Sequence, residues 1–160
     1  MKPGPLGARI ARAVAGLLTR SPQPAAGYPG DYTGSVDIQY CPDPDGAADP
    51  GEVVWGWIPY EDDHRAGKDR PALVIGRDGT WLLVLMLTSK DKDRNDGARN
   101  RHEVWVDIGT GSWDPLRRPS EVRVDRVIRL AEEAVRREGA ILDQKRFDTL
   151  AEAVREQRGT

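Results

Sequence analysis

The stretch Gly51–Lys90, GEVVWGWIPYEDDHRAGKDRPALVIGRDGTWLLVLMLTSK, constrains the fold more than any other part of the chain. It holds three short apolar runs, Val53–Ile58, Pro71–Gly76 and Trp81–Leu87, each of strand length and rich in β-branched or aromatic residues. Gly, Pro or Asp bounds each run, so the spacing predicts three consecutive antiparallel strands. Arg70 stands immediately before the second run, and Thr88 with Ser89 ends the third. A permanent cation and two hydroxyls are therefore expected to converge where two neighbouring strands finish.

Downstream, His102–Ile108 alternates well enough for a fourth strand, and GTGSWDPLRRPS is a turn-rich connection. Ser120–Leu130 alternates again, with Val122, Val124, Val127, Ile128 and Leu130 apolar. Two readings compete for the next segment. AEEAVRREG has strong helix propensity with Gly139 placed as a stop, whereas Val135–Leu142 can also run as a strand. Asp143 is positioned to N-cap a final helix in which Phe147, Leu150, Ala151 and Val154 form one apolar stripe.

Upstream, Leu6, Ile10, Val14, Leu17 and Leu18 recur at helical spacing, so Leu6–Leu18 reads as a short amphipathic helix. It packs either on protein or, because its polar face is cationic, on a membrane surface; protein packing is the preferred reading. From Ser21 to Pro50 the chain is dense in Pro, Gly and Asp, which excludes long regular structure. Ser35–Tyr40 is expected to form one edge strand, with Tyr28, Tyr32 and Tyr40 as anchors. Residues 1–50 are thus set apart as an extension, and residues 51–160 as the main domain.

A chain of 160 residues is long enough for one core and too short for two of ordinary size. No stretch approaches the eighteen or more apolar residues of a membrane span, and Ala13–Leu18 is too short an apolar core for a secretory signal, so a cytoplasmic protein is expected. The single cysteine, Cys41, permits no internal disulfide and fits a reducing compartment. His64 and His102 lie far apart and in no metal-ligand spacing, so neither a metal nor another cofactor is expected.

The net charge of −2 hides strong segregation. Residues 21–63 carry nine acids and no Lys or Arg, while residues 64–160 carry 20 basic and 17 acidic side chains. The mildly basic body is compatible with an anionic partner. The acidic segment either keeps an extended region soluble and turning, the preferred reading, or lies over the anion site as an internal mimic of the substrate.

GEVVW, then KDRPALVI, then an apolar strand closing in LTS, in that order, is similar to the opening of the PemK/MazF-type toxins, small ribonucleases of bacterial toxin–antitoxin pairs. The resemblance runs from Gly51 to about Glu156. It implies an α+β fold: a small, strongly twisted antiparallel SH3-like barrel with a C-terminal helix, here preceded by the N-terminal extension. It also favours the strand reading of Val135–Leu142. In function it implies a metal-independent endoribonuclease acting on single-stranded RNA as a homodimer, with a cognate antitoxin. The family's catalytic arginine and threonine fall on Arg70 and Thr88. Lys68, Ser89, Lys90 and Trp57 are the candidate substrate-binding residues; Ser89 and Lys90 differ from the polar residues of many relatives, which bears on sequence preference.

Two other classes stay open on the sequence: a toxin of the same fold directed at a protein such as gyrase, and a non-catalytic interaction module that keeps the barrel. Of the five tryptophans, Trp55, Trp81 and Trp105 are expected in the core, leaving Trp57 and Trp113 as candidates for base stacking. His64 and His102 read as loop histidines.

Overall fold

The computed structural model describes residues 27–89 and 102–159. The helix expected at Leu6–Leu18 lies outside the described residues, as does Lys90. The strands run in the order β1 (Glu52–Pro59), β2 (Gly67–Asp78), β3 (Trp81–Ser89), β4 (Trp105–Gly109), β5 (Ser120–Arg123), β6 (Ile128–Ala131) and β7 (Val135–Ile141). Among the described residues one α-helix, α1 (Gln144–Arg158), follows β7. All recorded strand pairs are antiparallel, in the order β4-β5-β3-β2-β1-β7 with β6 also on β3, so the sheet curls into a half-barrel.

The three central strands are apolar almost without interruption because both of their faces are covered. On one face Val53, Leu73, Ile75, Leu83, Leu85 and Leu87 pack with the helix stripe Phe147, Leu150, Ala151 and Val154. On the other, Val54, Ile58, Ala72, Val74, Leu82 and Val84 pack with Ile128 and Leu130. A residue run that alternated would have left one of these faces wet. The helix stripe falls at i, i+3, i+4 and i+7, and Asp143 caps it by accepting from Arg146 N at 3.0 Å. Gly159, in the left-handed region at φ 70°, closes it.

Two expectations are revised. Ser120–Leu130 is two strands rather than one continuous alternation, because β3 pairs Leu87 with Val122 but Val84 with Ile128. Three steps along β3 are thus matched by six along its partner, and the surplus bends out at Val124–Val127. Ser35–Tyr40 forms no strand. Residues 27–50 run as an irregular strap instead, yet they are built into the core: Ile38 and Ala48 are buried, and Tyr32, Val36 and Tyr40 pack against the helix-side cluster. Tyr40 donates to Leu142 O at 2.7 Å, and its ring tilts against Phe147 at 5.1 Å. The strap passes Gly76, where a Cβ would meet Val36 at 3.2 Å and Asp37 O at 3.3 Å. Val135–Ile141 is the strand that the resemblance favoured: pairing with β1 overrides its helix-favouring composition.

Arginines of the barrel hold the strap by its backbone and by one acid. Arg126 donates to Asp31 through Nε at 2.7 Å and Nη2 at 3.2 Å, and Nη2 also reaches Pro59 O. Arg129 donates to Gly30 O, Arg155 to Ile38 O, and Arg158 to Tyr32 O and Gly34 O. No helix among the described residues is long and apolar enough to cross a membrane.

A candidate phosphate-binding site at the splayed end of β2 and β3

The strands β2 and β3 are hydrogen-bonded from Asp78–Trp81 to Ala72–Met86. Two residues further along each strand, that antiparallel register sets Arg70 opposite Thr88. Here β3 turns its other edge to β5, pairing Thr88 with Glu121 and Ser89 with Ser120, and β2 continues on β1 with Arg70 opposite Gly56. The two strands part, and an open pocket of about 90 Å³ lies between them. Arg70 Nη1 donates to Thr88 Oγ1 at 3.4 Å. The hydroxyl therefore accepts from the guanidinium and keeps its own proton to donate.

Lys68, Arg70, Thr88 and Ser89 all line this pocket, so the structure brings four of the sequence-selected residues together. Lys68 is exposed, whereas Thr88 is buried. Glu61 pairs with Arg123 at 2.8 Å, and Asp69 Oδ2 with Arg136 at 3.3 Å. Asp69 Oδ1 makes no hydrogen bond.

Trp57, expected among the substrate-binding residues, is only 7% exposed and does not line the pocket. Its ring lies against Gly67, where a Cβ would come within 2.6 Å of it, and no open face is left for a base. Trp113 is likewise core, at 2%. The half-buried tryptophan that lines the pocket is Trp55, which the sequence assigned to the core. The two histidines occupy the periphery. His64 stacks edge-on against Tyr28 at 5.0 Å with Nε2 3.9 Å from Asp31, and His102 Nε2 is 3.7 Å from Glu61.

The far wall comes from the β4–β5 loop, through Trp113, Asp114, Arg118 and Ser120. Trp113 O accepts from Trp55 Nε1 at 3.0 Å, and Trp113 Nε1 donates to Ser120 Oγ at 3.1 Å. The Arg146 guanidinium lies 5.4 Å over the Trp113 ring, a cation–π contact that ties the loop to α1. Asp114 accepts from Leu116 N at 2.9 Å and from Arg118 Nε at 2.8 Å. Burial alone would push the Asp114 carboxyl up, but these hydrogen bonds and the Arg118 charge outweigh it and hold the group below the usual carboxylate range. The sequence reading passed over this wall as a connection; an Asp before Pro, with Arg four residues after it, was the available signal.

Gly111 has no room for a side chain, since a Cβ would meet the Trp113 ring at 2.0 Å. Gly111→Ala is therefore expected to cost about 1–3 kcal/mol of stability through overpacking. A lower midpoint in chemical denaturation is the expected result.

Among the described residues no group of three or more His, Cys, Asp or Glu is placed to hold a metal ion. The pocket gathers Lys68, Arg70 and Arg118 with the carboxylates of Asp69 and Asp114 and the hydroxyls of Thr88, Ser89 and Ser120. Forked guanidinium donors match two oxygens of a phosphate, and the hydroxyls supply single hydrogen bonds. Residues 49–157 match the model of the PemK-like, MazF-like toxins of type II toxin–antitoxin systems. The chain belongs to this family. The matched span holds every strand among the described residues, all of α1 but its last residue, and the whole pocket of this PemK/MazF-like toxin. A solved endoribonuclease in complex with its cognate antitoxin, from a mycobacterial species, is similar at 14% identity with a TM-score of 0.48, over 69% of this chain and 93% of that one. No curated protein matches.

Proposed function

We propose that this PemK/MazF-like toxin is a metal-independent endoribonuclease that cuts single-stranded RNA in the cytoplasm, works as a homodimer and is restrained by a cognate antitoxin. The observation that carries the reading is the Arg70–Thr88 contact at the splayed end of β2 and β3, inside a pocket with excess positive charge. Without a metal, the ribose 2′-oxygen attacks the adjacent phosphorus, the bond to the 5′-oxygen breaks, and the proton lost from the former is balanced by one gained at the latter. The protein must hold a pentavalent phosphate whose negative charge grows, and a preorganised guanidinium suits that task. Arg70 binds and stabilises this phosphate, Thr88 donates to one of its oxygens, and Lys68 and Ser89 hold the flanking strand. Lys90 follows Ser89 directly in sequence and is assigned to the same flank.

The test is turnover of a labelled RNA pool by purified protein, with Arg70→Ala as control. Cleavage is expected to survive EDTA; loss on chelation with rescue by a divalent ion would replace the mechanism. Thr88→Ala is expected to lose about 2–4 kcal/mol of transition-state stabilisation, read as a fall in kcat with little change in KM. A protein of this fold aimed at another protein would leave the RNA pool intact.

A further inference from the structure

Arg118 is placed with more care than a surface arginine needs. It sits on a ten-residue loop between β4 and β5 whose backbone is closed by Arg117 N donating to Asp114 O at 2.9 Å and by Ser120 Oγ donating to Arg118 O at 3.4 Å. Arg117 holds a left-handed φ of 49°, and Trp113 anchors the loop in the core. Asp114, 5% exposed, grips the Arg118 guanidinium through Nε and, more loosely, Nη2 at 3.5 Å. That leaves Nη1, on the far side of the fork, with two donors that Asp114 does not use. The side chain is 38% exposed and lines the same pocket as Arg70.

A buried carboxylate that fixes one edge of a guanidinium, on a side chain that lines a pocket with excess positive charge, is a positioning device. It removes rotamer freedom before the ligand arrives, so less entropy is lost on binding. We propose that Arg118 is a second phosphate ligand: Arg70 takes the phosphate at which the RNA is cut, and Arg118, oriented by Asp114, takes a neighbouring phosphate of the same strand. The pocket then engages two phosphates through two guanidiniums on different elements, one on β2 and one on the β4–β5 loop. Arg118 contributes to holding the strand in register and not to the bond changes, so its loss raises KM and leaves kcat near its original value. This inference rests on the nucleic-acid reading of the site given above.

The experiment uses single-stranded 2′-deoxy hexanucleotides, which lack the nucleophile and report binding whether or not RNA is cut. In each, one phosphate is replaced by a neutral methylphosphonate. The wild-type protein is expected to lose about tenfold in affinity, roughly 1.4 kcal/mol, at each of two phosphate positions. The double variant Arg118→Gln/Asp114→Asn removes both charges together, so that no buried carboxylate is left unpaired. It is expected to become insensitive at one of those positions and to keep the other, while Arg70→Ala shows the converse. The slope of log affinity against log salt should also fall by about 0.7 for the lost contact. An Arg118 variant with the wild-type two-position profile, equal weakening of every oligonucleotide, or a wild-type profile with a single sensitive phosphate would each overturn the assignment. So would failure of the wild type to bind any of them. Binding with the expected profile but no RNA turnover would sink the ribonuclease reading and leave the subsite standing.

Discussion

Arg70→Ala is expected to lower RNA cleavage by about 10³-fold or more, and Arg70→Lys to recover little of it. Removing a single preorganised donor to a developing oxyanion already costs about 10²–10³ in kcat, and this arginine supplies charge as well as a fork of donors. An ammonium restores the charge as a point but cannot bridge two phosphate oxygens in one plane. The loss should be specific to chemistry, because Arg70 is half-buried at an open pocket and its partner Thr88 lies at the same strand ends. Melting temperature is therefore expected to stay close to that of the parent. Full turnover in Arg70→Ala would end the assignment of this pocket as the catalytic one, whatever the family membership of the chain.

What the sequence made legible follows from where the information is local. Strands β1, β2 and β3 announce themselves because both faces are buried and the runs are unbroken. The helix announces itself through an i, i+3, i+4, i+7 stripe and an Asp cap. Arg70 and Thr88 could be paired because antiparallel register follows from adjacency of the strands. The rest depends on contacts across the chain. Whether Val135–Ile141 is helix or strand is decided by an edge of β1 more than seventy residues earlier in sequence, not by its own composition. Trp55 and Trp57 share one strand and similar neighbours, and only the Gly67 contact and the Trp113 carbonyl separate a buried ring from one beside the pocket. Arg118 was hidden in a turn-rich connection because an aspartate that clamps an arginine looks, in sequence, like any polar loop.

The largest stability effect is expected from removing the acidic strap. A chain starting near Asp49 loses Ile38, Ala48, Tyr32, Val36 and Tyr40 from the core and leaves Arg126, only 5% exposed, without its carboxylate. An unpaired buried charge alone costs about 3–5 kcal/mol, against a total stability of about 5–15 kcal/mol for an ordinary domain. The truncated chain is thus expected to melt far below the full-length protein or not to fold at all. Asp31→Ala isolates the ionic part; with Asp31 itself partly exposed, about 3 kcal/mol is expected, a drop on the order of 10 °C in Tm. The contacts of the strap oppose the idea that it mimics RNA over the site. Asp31 is held by Arg126, Asp37 by Gln39 and Asp45 by the Ala47 backbone, and none of these partners lines the pocket of Arg70 and Thr88. A synthetic peptide of residues 31–49 is accordingly expected not to inhibit cleavage. A truncated protein that stays folded, binds RNA more tightly and cuts it faster would reverse this conclusion, since a structural strap can only weaken the enzyme when it is removed.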